Sequence, residues 1–166
     1  MSELDLLVSQ LRSARRYTEG LLETIDAADW FRIPAGCVTH VAWQVGHLAY
    51  AEYRLALERI RGEQSRDAEL IPQAFRQRFQ RQSIPDPDPS QAPTPAELRD
   101  VFDRVHRQAL AELASLSEAD LDVPLPAPHP QARNRRECLL WCGQHEMIHA
   151  GQIGLLRRML GQAPRW

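Results

Sequence analysis

Apolar residues recur at three- and four-residue intervals along most of this chain. From about Glu3 to Ile25, the positions Leu4, Leu7, Val8, Leu11, Ala14, Leu21, Leu22 and Ile25 form the stripe of an amphipathic helix. Ser2, with Asp5 three residues later, supplies an N-cap pair. Pro34 and Gly36 then punctuate a loop. A second helix is expected from about Val38 to Arg61, closed by Gly62. Its first half is uncharged on every side, which predicts burial on most faces. Charge begins at Glu52, so the second half is expected to emerge into solvent.

From Glu63 to Pro93 the periodicity weakens. Ile71 to Gln80 can form a short helix, and Pro85, Pro87, Pro89, Pro93 and Pro95 stiffen the connection that follows. Thr94-Pro95-Ala96-Glu97 opens a third helix, with Thr as N-cap, Pro at the first helical position and Glu closing a capping box. Leu98, Val101, Phe102, Val105, Ala109, Leu113 and Leu116 continue its apolar stripe, and Ser117 to Asp120 fit a short extra turn. Pro124, Pro126, Pro128 and Pro130 predict a second rigid loop. A fourth helix opens at Asn134 and ends at Leu160-Gly161, with Pro164 beyond; at about 1.5 Å per residue it spans roughly 40 Å. The expectation is all-α: one four-helix-bundle domain over residues 1–166, with a long connection between helices two and three.

Composition narrows the function classes. The chain has 166 residues, 43% hydrophobic and 25% charged, which suits a folded domain. All 20 basic residues are Arg, which excludes lysine Schiff-base chemistry and a P-loop lysine. A net charge of −2 gives no electrostatic case for nucleic acid. Met1-Ser2-Glu3-Leu4-Asp5 is not expected to start a signal peptide, and the charge-free stretch Ile33–Ala51 is too polar and interrupted to span a membrane. A cytoplasmic location with reduced thiols is expected.

The chemistry concentrates in histidines. His145 and His149 stand four apart on the fourth helix, so both imidazoles share a face and can chelate one ion. His145-Glu146-Met147-Ile148-His149 also reads as H-E-x-x-H, the zinc-protease pattern with Glu146 as general base. No His, Asp, Glu or Cys follows His149, however, so the downstream third ligand of such proteases is missing. A third ligand must come from upstream. His129 sits among prolines, His106 is at the edge of an apolar stripe and can point to solvent, and His40 and His47 share a face of the second helix. Spacing does not choose between His40 and His47, although Gly46 allows another backbone close to His47. Cys142 and Cys138 lie on the ligand face of the fourth helix, where small buried core residues are the simpler reading; Cys37 gives no signal. Trp43, Gln44, Tyr50 and Arg54 accompany His47, and Trp141 and Gln152 accompany the histidine pair, with Arg54 available to an anionic group. Glu146 is turned about 100° from His145 and points away from a shared metal.

Trp43-Gln44-Val45-Gly46-His47-Leu48-Ala49 with Glu52 resembles the second-helix motif of the DinB-like superfamily. His145-x-x-x-His149-Ala150-Gly151-Gln152-Ile153, followed by Leu156-Arg157-Arg158 and Leu160-Gly161, resembles that family's last-helix motif. The resemblance covers the chain in helix order. It implies a four-helix bundle with a divalent transition metal, zinc or nickel, held by His47, His145 and His149. It also implies a homodimer acting on a small molecule, by thiol-dependent S-transfer or isomerisation with a low-molecular-weight thiol, or by hydrolysis with a metal-activated water. In the related iron-dependent sulfoxide synthases an acid is expected two residues beyond the second histidine; here that residue is Gly151. The alternative class is a non-catalytic metal-binding or dimerisation protein.

Overall fold

Ser2 caps the first helix as its sequence requires: its hydroxyl accepts from the Asp5 N–H at 3.1 Å and the Asp5 carboxylate accepts from the Ser2 N–H at 2.9 Å. Helix α1 then runs over Glu3–Leu22, ending on the buried Leu21 and Leu22 and short of Ile25, which is buried in the following turn. The computed structural model describes residues 1–164, apart from the side chain of Pro128.

The second long helix departs from the expected uniform rod. Its α-helical part, α2, covers Val41–Glu52, because His40 is its N-cap: the His40 Nδ1 accepts from the Trp43 N–H at 3.1 Å. A π-helical turn, Tyr53–Glu58, and the short α3, Arg59–Arg61, complete it, and Gly62 ends it at φ +85°. The uncharged half of α2 is buried, as expected. The second half does not emerge at Glu52: Glu52 is 3% exposed, and Tyr53, Leu55, Ala56 and Leu57 are buried after it. Ionic partners from other helices, described below, make that burial tolerable.

The long connection carries α4 (Asp67–Leu70) and α5 (Gln73–Phe79), then α6 (Pro95–Leu113) begins at the Thr94 capping box. The second proline-rich stretch is not a loop. It forms β1 (Pro124–His129), antiparallel to β2 (Ala132–Asn134). Proline favours extended backbone, and a strand with one neighbour tolerates residues without a donor. Asn134 caps α7 (Arg135–Met159) by accepting from the Glu137 N–H at 2.9 Å.

The chain is therefore all-α but for this small hairpin. α1 packs chiefly on α7 and α2 chiefly on α6, with α2 also against α7. One core, including Leu22, Trp30, Tyr53, Phe102 and Leu139, runs between them. No helix among the described residues is long and apolar enough to cross a membrane.

Gly46 has a packing reason, and it differs from a backbone approach. A Cβ there would lie 2.5 Å from the Phe79 ring, so α5 seats its last side chain against this glycine. Gly46→Ala is expected to lower stability by about 1–3 kcal/mol through overpacking. A melting temperature equal to that of the unmodified protein would contradict this contact.

Candidate metal centre

His47 arises from the buried half of α2, and His145 and His149 from successive turns of α7. The fold brings them together. One ring nitrogen of each lies within 4.8 Å of the others. Ring centroids are 4.8 Å apart for His47 and His149, 5.4 Å for His47 and His145, and 4.5 Å for His145 and His149. His47 is 6% exposed and His149 8%, with His145 partly buried.

Hydrogen bonds set the direction of two of these rings. The His47 Nδ1 lies 2.8 Å from the Phe79 carbonyl, and the His149 Nδ1 lies 2.5 Å from Gln44 Oε1. Both partners can only accept, so each Nδ1 carries the proton and each Nε2 presents a lone pair. The Gln44 amide is itself oriented, donating from Nε2 to Thr39 Oγ1 at 3.0 Å and to Gln152 Oε1 at 2.9 Å. Trp43 stacks on His47 with centroids 4.7 Å apart and 5° between planes, and Trp141 meets the His145 ring edge-on. Outer partners of this kind fix tautomer and orientation in histidine metal sites.

The rings are held neutral. Burial is the main cause for all three. It lowers the pKa of His47, with Arg81 adding to the effect; it takes His145 to about 4, helped by His47 and His129; and it takes His149 to about 3, helped by its two neighbours. Three neutral imidazoles are the protonation state a divalent metal requires.

The segment after α5 holds the His47 face of α2. Besides the Phe79 carbonyl, Ser83 Oγ accepts from the Trp43 indole at 2.9 Å, and the Asp86 carbonyl accepts from His40 Nε2 at 3.0 Å. His40 thus has both ring nitrogens engaged, one as helix cap and one on this segment. It stands outside the three-histidine group.

Other candidates fall elsewhere. Cys142 is buried in the core at 4% exposure, its thiol pushed well above the usual range chiefly by burial. Cys138, also buried, donates to the Leu55 carbonyl of the π-helical turn at 3.3 Å. Glu146 does not face the histidine group: it is 4% exposed and paired with Arg15, whose Nε donates to Oε1 at 2.9 Å. That removes the protease role suggested by the five-residue pattern. His106 does not point to solvent. It is buried, and its Nδ1 lies 2.6 Å from Glu52 Oε1. Tyr50 and Arg54 pair with each other at 3.0 Å, one and two turns beyond His47.

The sequence profile of the DinB superfamily matches residues 10–153. No curated protein matches the chain.

The lowered histidine pKa values couple to stability. The unfolded chain takes up protons below its ordinary histidine pKa of about 6.5, while the folded chain refuses them until the folded values are reached. The contribution is complete above pH 6.5 and is lost as pH falls through the folded values of about 4 and about 3. The metal-free protein is expected to melt at a lower temperature at pH 5 than at pH 7. A His145→Gln/His149→Gln variant is expected to show a smaller difference; the same difference in both proteins would contradict the assignment.

Proposed function

The chain belongs to the DinB superfamily, and from that membership and the three-histidine group we propose a divalent-metal-dependent enzyme acting on a small molecule. Its ligands are His47, His145 and His149, and zinc or nickel, both ions that imidazole ligands suit, is the metal proposed. The observation that carries this reading is the pair of Nδ1 hydrogen bonds to the Phe79 carbonyl and Gln44 Oε1, which leaves two Nε2 lone pairs in a cluster. A metal held by these three histidines would leave a position open for a small ligand, and the chemistry it would supply there is acidification of a thiol or water.

The surroundings favour an anionic partner. His47 and His149 have neutral acceptors rather than carboxylates behind them, so the protein itself leaves the metal's charge uncompensated. Arg81 disfavours protonation of His47, and Arg59, Arg54 and Arg81 act together on His129, which in turn acts on His145. Arg54 is offset by Glu58 at 2.7 Å, whereas Arg59 donates to the uncharged Ala127 carbonyl at 3.2 Å. A thiolate fits these requirements, and thiol-dependent S-transfer or isomerisation is the reaction class proposed. Trp43 covers one face of the His47 ring, and Trp141 meets the His145 ring edge-on. Hydrolysis with water as the activated group is the nearest variant.

A second reading is a dimeric metal-binding protein without catalysis. It draws on Met147, Ile148, Leu155 and Met159, apolar residues of α7 that are 42–51% exposed.

Elemental analysis of protein purified without chelator or affinity metal tests the site. About one equivalent of a transition metal is expected, lost in both His47→Ala and His149→Ala. A low-molecular-weight thiol is then expected to raise the melting temperature of the metal-loaded protein and leave the metal-free protein unchanged. No metal after reconstitution would contradict the site. A site that is filled but indifferent to thiols would favour the non-catalytic reading.

A further inference from the structure

Four helices, α1, α2, α6 and α7, meet at a buried cluster of charges that the metal centre does not use. Arg15 projects from α1 into the core at 2% exposure. Its Nη2 meets Glu52 Oε2 of α2 at 2.6 Å, its Nε meets Glu146 Oε1 of α7 at 2.9 Å, and its Nη1 donates to the Phe102 carbonyl of α6 at 2.8 Å. The guanidinium carbon also lies 3.3 Å from the centroid of the Phe102 ring. Glu52 is held on its other oxygen by His106. Burial alone would raise Glu52, but Arg15 and His106 outweigh it and keep it below the ordinary range; burial and the Glu52 charge push Glu146 up against the pull of Arg15.

Stability does not account for such a cluster. Removing two carboxylates and a guanidinium from water is expensive, and well-packed apolar residues of the same volume do as well or better. The best-attested use of buried ionic groups is to select one register among several. Here the two carboxylates are on the two helices that supply the three histidines. Glu146 follows His145 directly, and Glu52 lies five residues after His47. On the opposite side of the histidines, Gln44 of α2 bridges to His149 and Gln152 of α7. The seam between α2 and α7 is therefore pinned at Gln44 and, through Arg15, at Glu52 and Glu146.

We propose that Arg15 is a positioning residue: by clamping Glu52 and Glu146 it holds α2 and α7 in the register that brings His47 against His145 and His149. The fork is the essential feature. Three nitrogens point to three helices in one plane, which a lysine ammonium cannot reproduce. Arg15 touches neither the histidines nor a ligand among them; its effect on metal affinity rests on the reading of the cluster as a metal site, and its effect on geometry does not.

The test separates the two. In Arg15→Met/Glu52→Gln/Glu146→Gln the buried charges are removed together, so no ion is left unpaired. Arg15→Lys keeps the charge and loses the fork, and serves in its place should the triple variant lose helix content by circular dichroism. Proton cross-relaxation between histidine rings is measured in the metal-free proteins. In the unmodified protein, cross-peaks are expected from His47 to His149 and from His145 to His149. In the variant the first is expected to vanish and the second, within one helix, to persist as the control. Zinc affinity, measured by chelator competition, is expected to fall about 10–100-fold. Persistence of the His47–His149 cross-peak in the variant overturns the proposal. Loss of that cross-peak in a chain whose unmodified form binds no zinc upholds the positioning role and removes the metal reading alone.

Discussion

The register between α2 and α7 is the constraint on which the rest of this molecule depends. The two helices run antiparallel, and polar contacts cross their seam in order: Gln44 to Gln152 and His149, then His47 to His145 and His149, then the Leu55 carbonyl to Cys138. A slip of one residue would move a side chain about 1.5 Å along the axis and 100° around it. Every contact in that series would be lost together. Arg15 joins the two helices to α1 and α6 at the same level, so the register is a property of the whole core.

The histidine cluster works against the stability that surrounds it. Three imidazoles are taken out of water and denied protons chiefly by burial, with a ring nitrogen of each within 4.8 Å of the others. A core selected for packing alone would place leucine or phenylalanine there. Buried groups of this kind, with environment-shifted pKa values and fixed tautomers, mark functional sites more often than structural ones. The end of α5 and the strap after it complete the arrangement by supplying backbone carbonyls and a serine to His40, Trp43 and His47, successive residues of one helix face.

Much of this was legible in the sequence because it is local. The apolar stripes located the long helices, and Ser2, Thr94 and Asn134 each cap the helix they precede. The spacing of His145 and His149 identified a shared face. Spacing could not choose between His40 and His47, since both lie on one side of α2; resemblance to the DinB superfamily indicated His47, and the structure puts His47 in the cluster and His40 at the helix cap. What stayed hidden depends on distant partners. Arg15 pairs with residues 37 and 131 positions away, so no window around it shows that its charge is buried. Glu52 and His106 look solvent-directed in the sequence for the same reason, since their partners lie on other helices. The π-helical turn and the proline-bearing strand depend on what packs against them: the former lies against α7, and the latter has β2 as its neighbour.

X-ray absorption at the metal edge tests the central claim most directly, on protein loaded with one equivalent of zinc and no added thiol. Three imidazole nitrogens at about 2.0–2.1 Å with one light-atom ligand are predicted. A sulfur at about 2.3 Å would bring Cys142 or Cys138 into the shell, and an all-oxygen shell without imidazole scattering would move the metal away from the histidines; either would contradict the account.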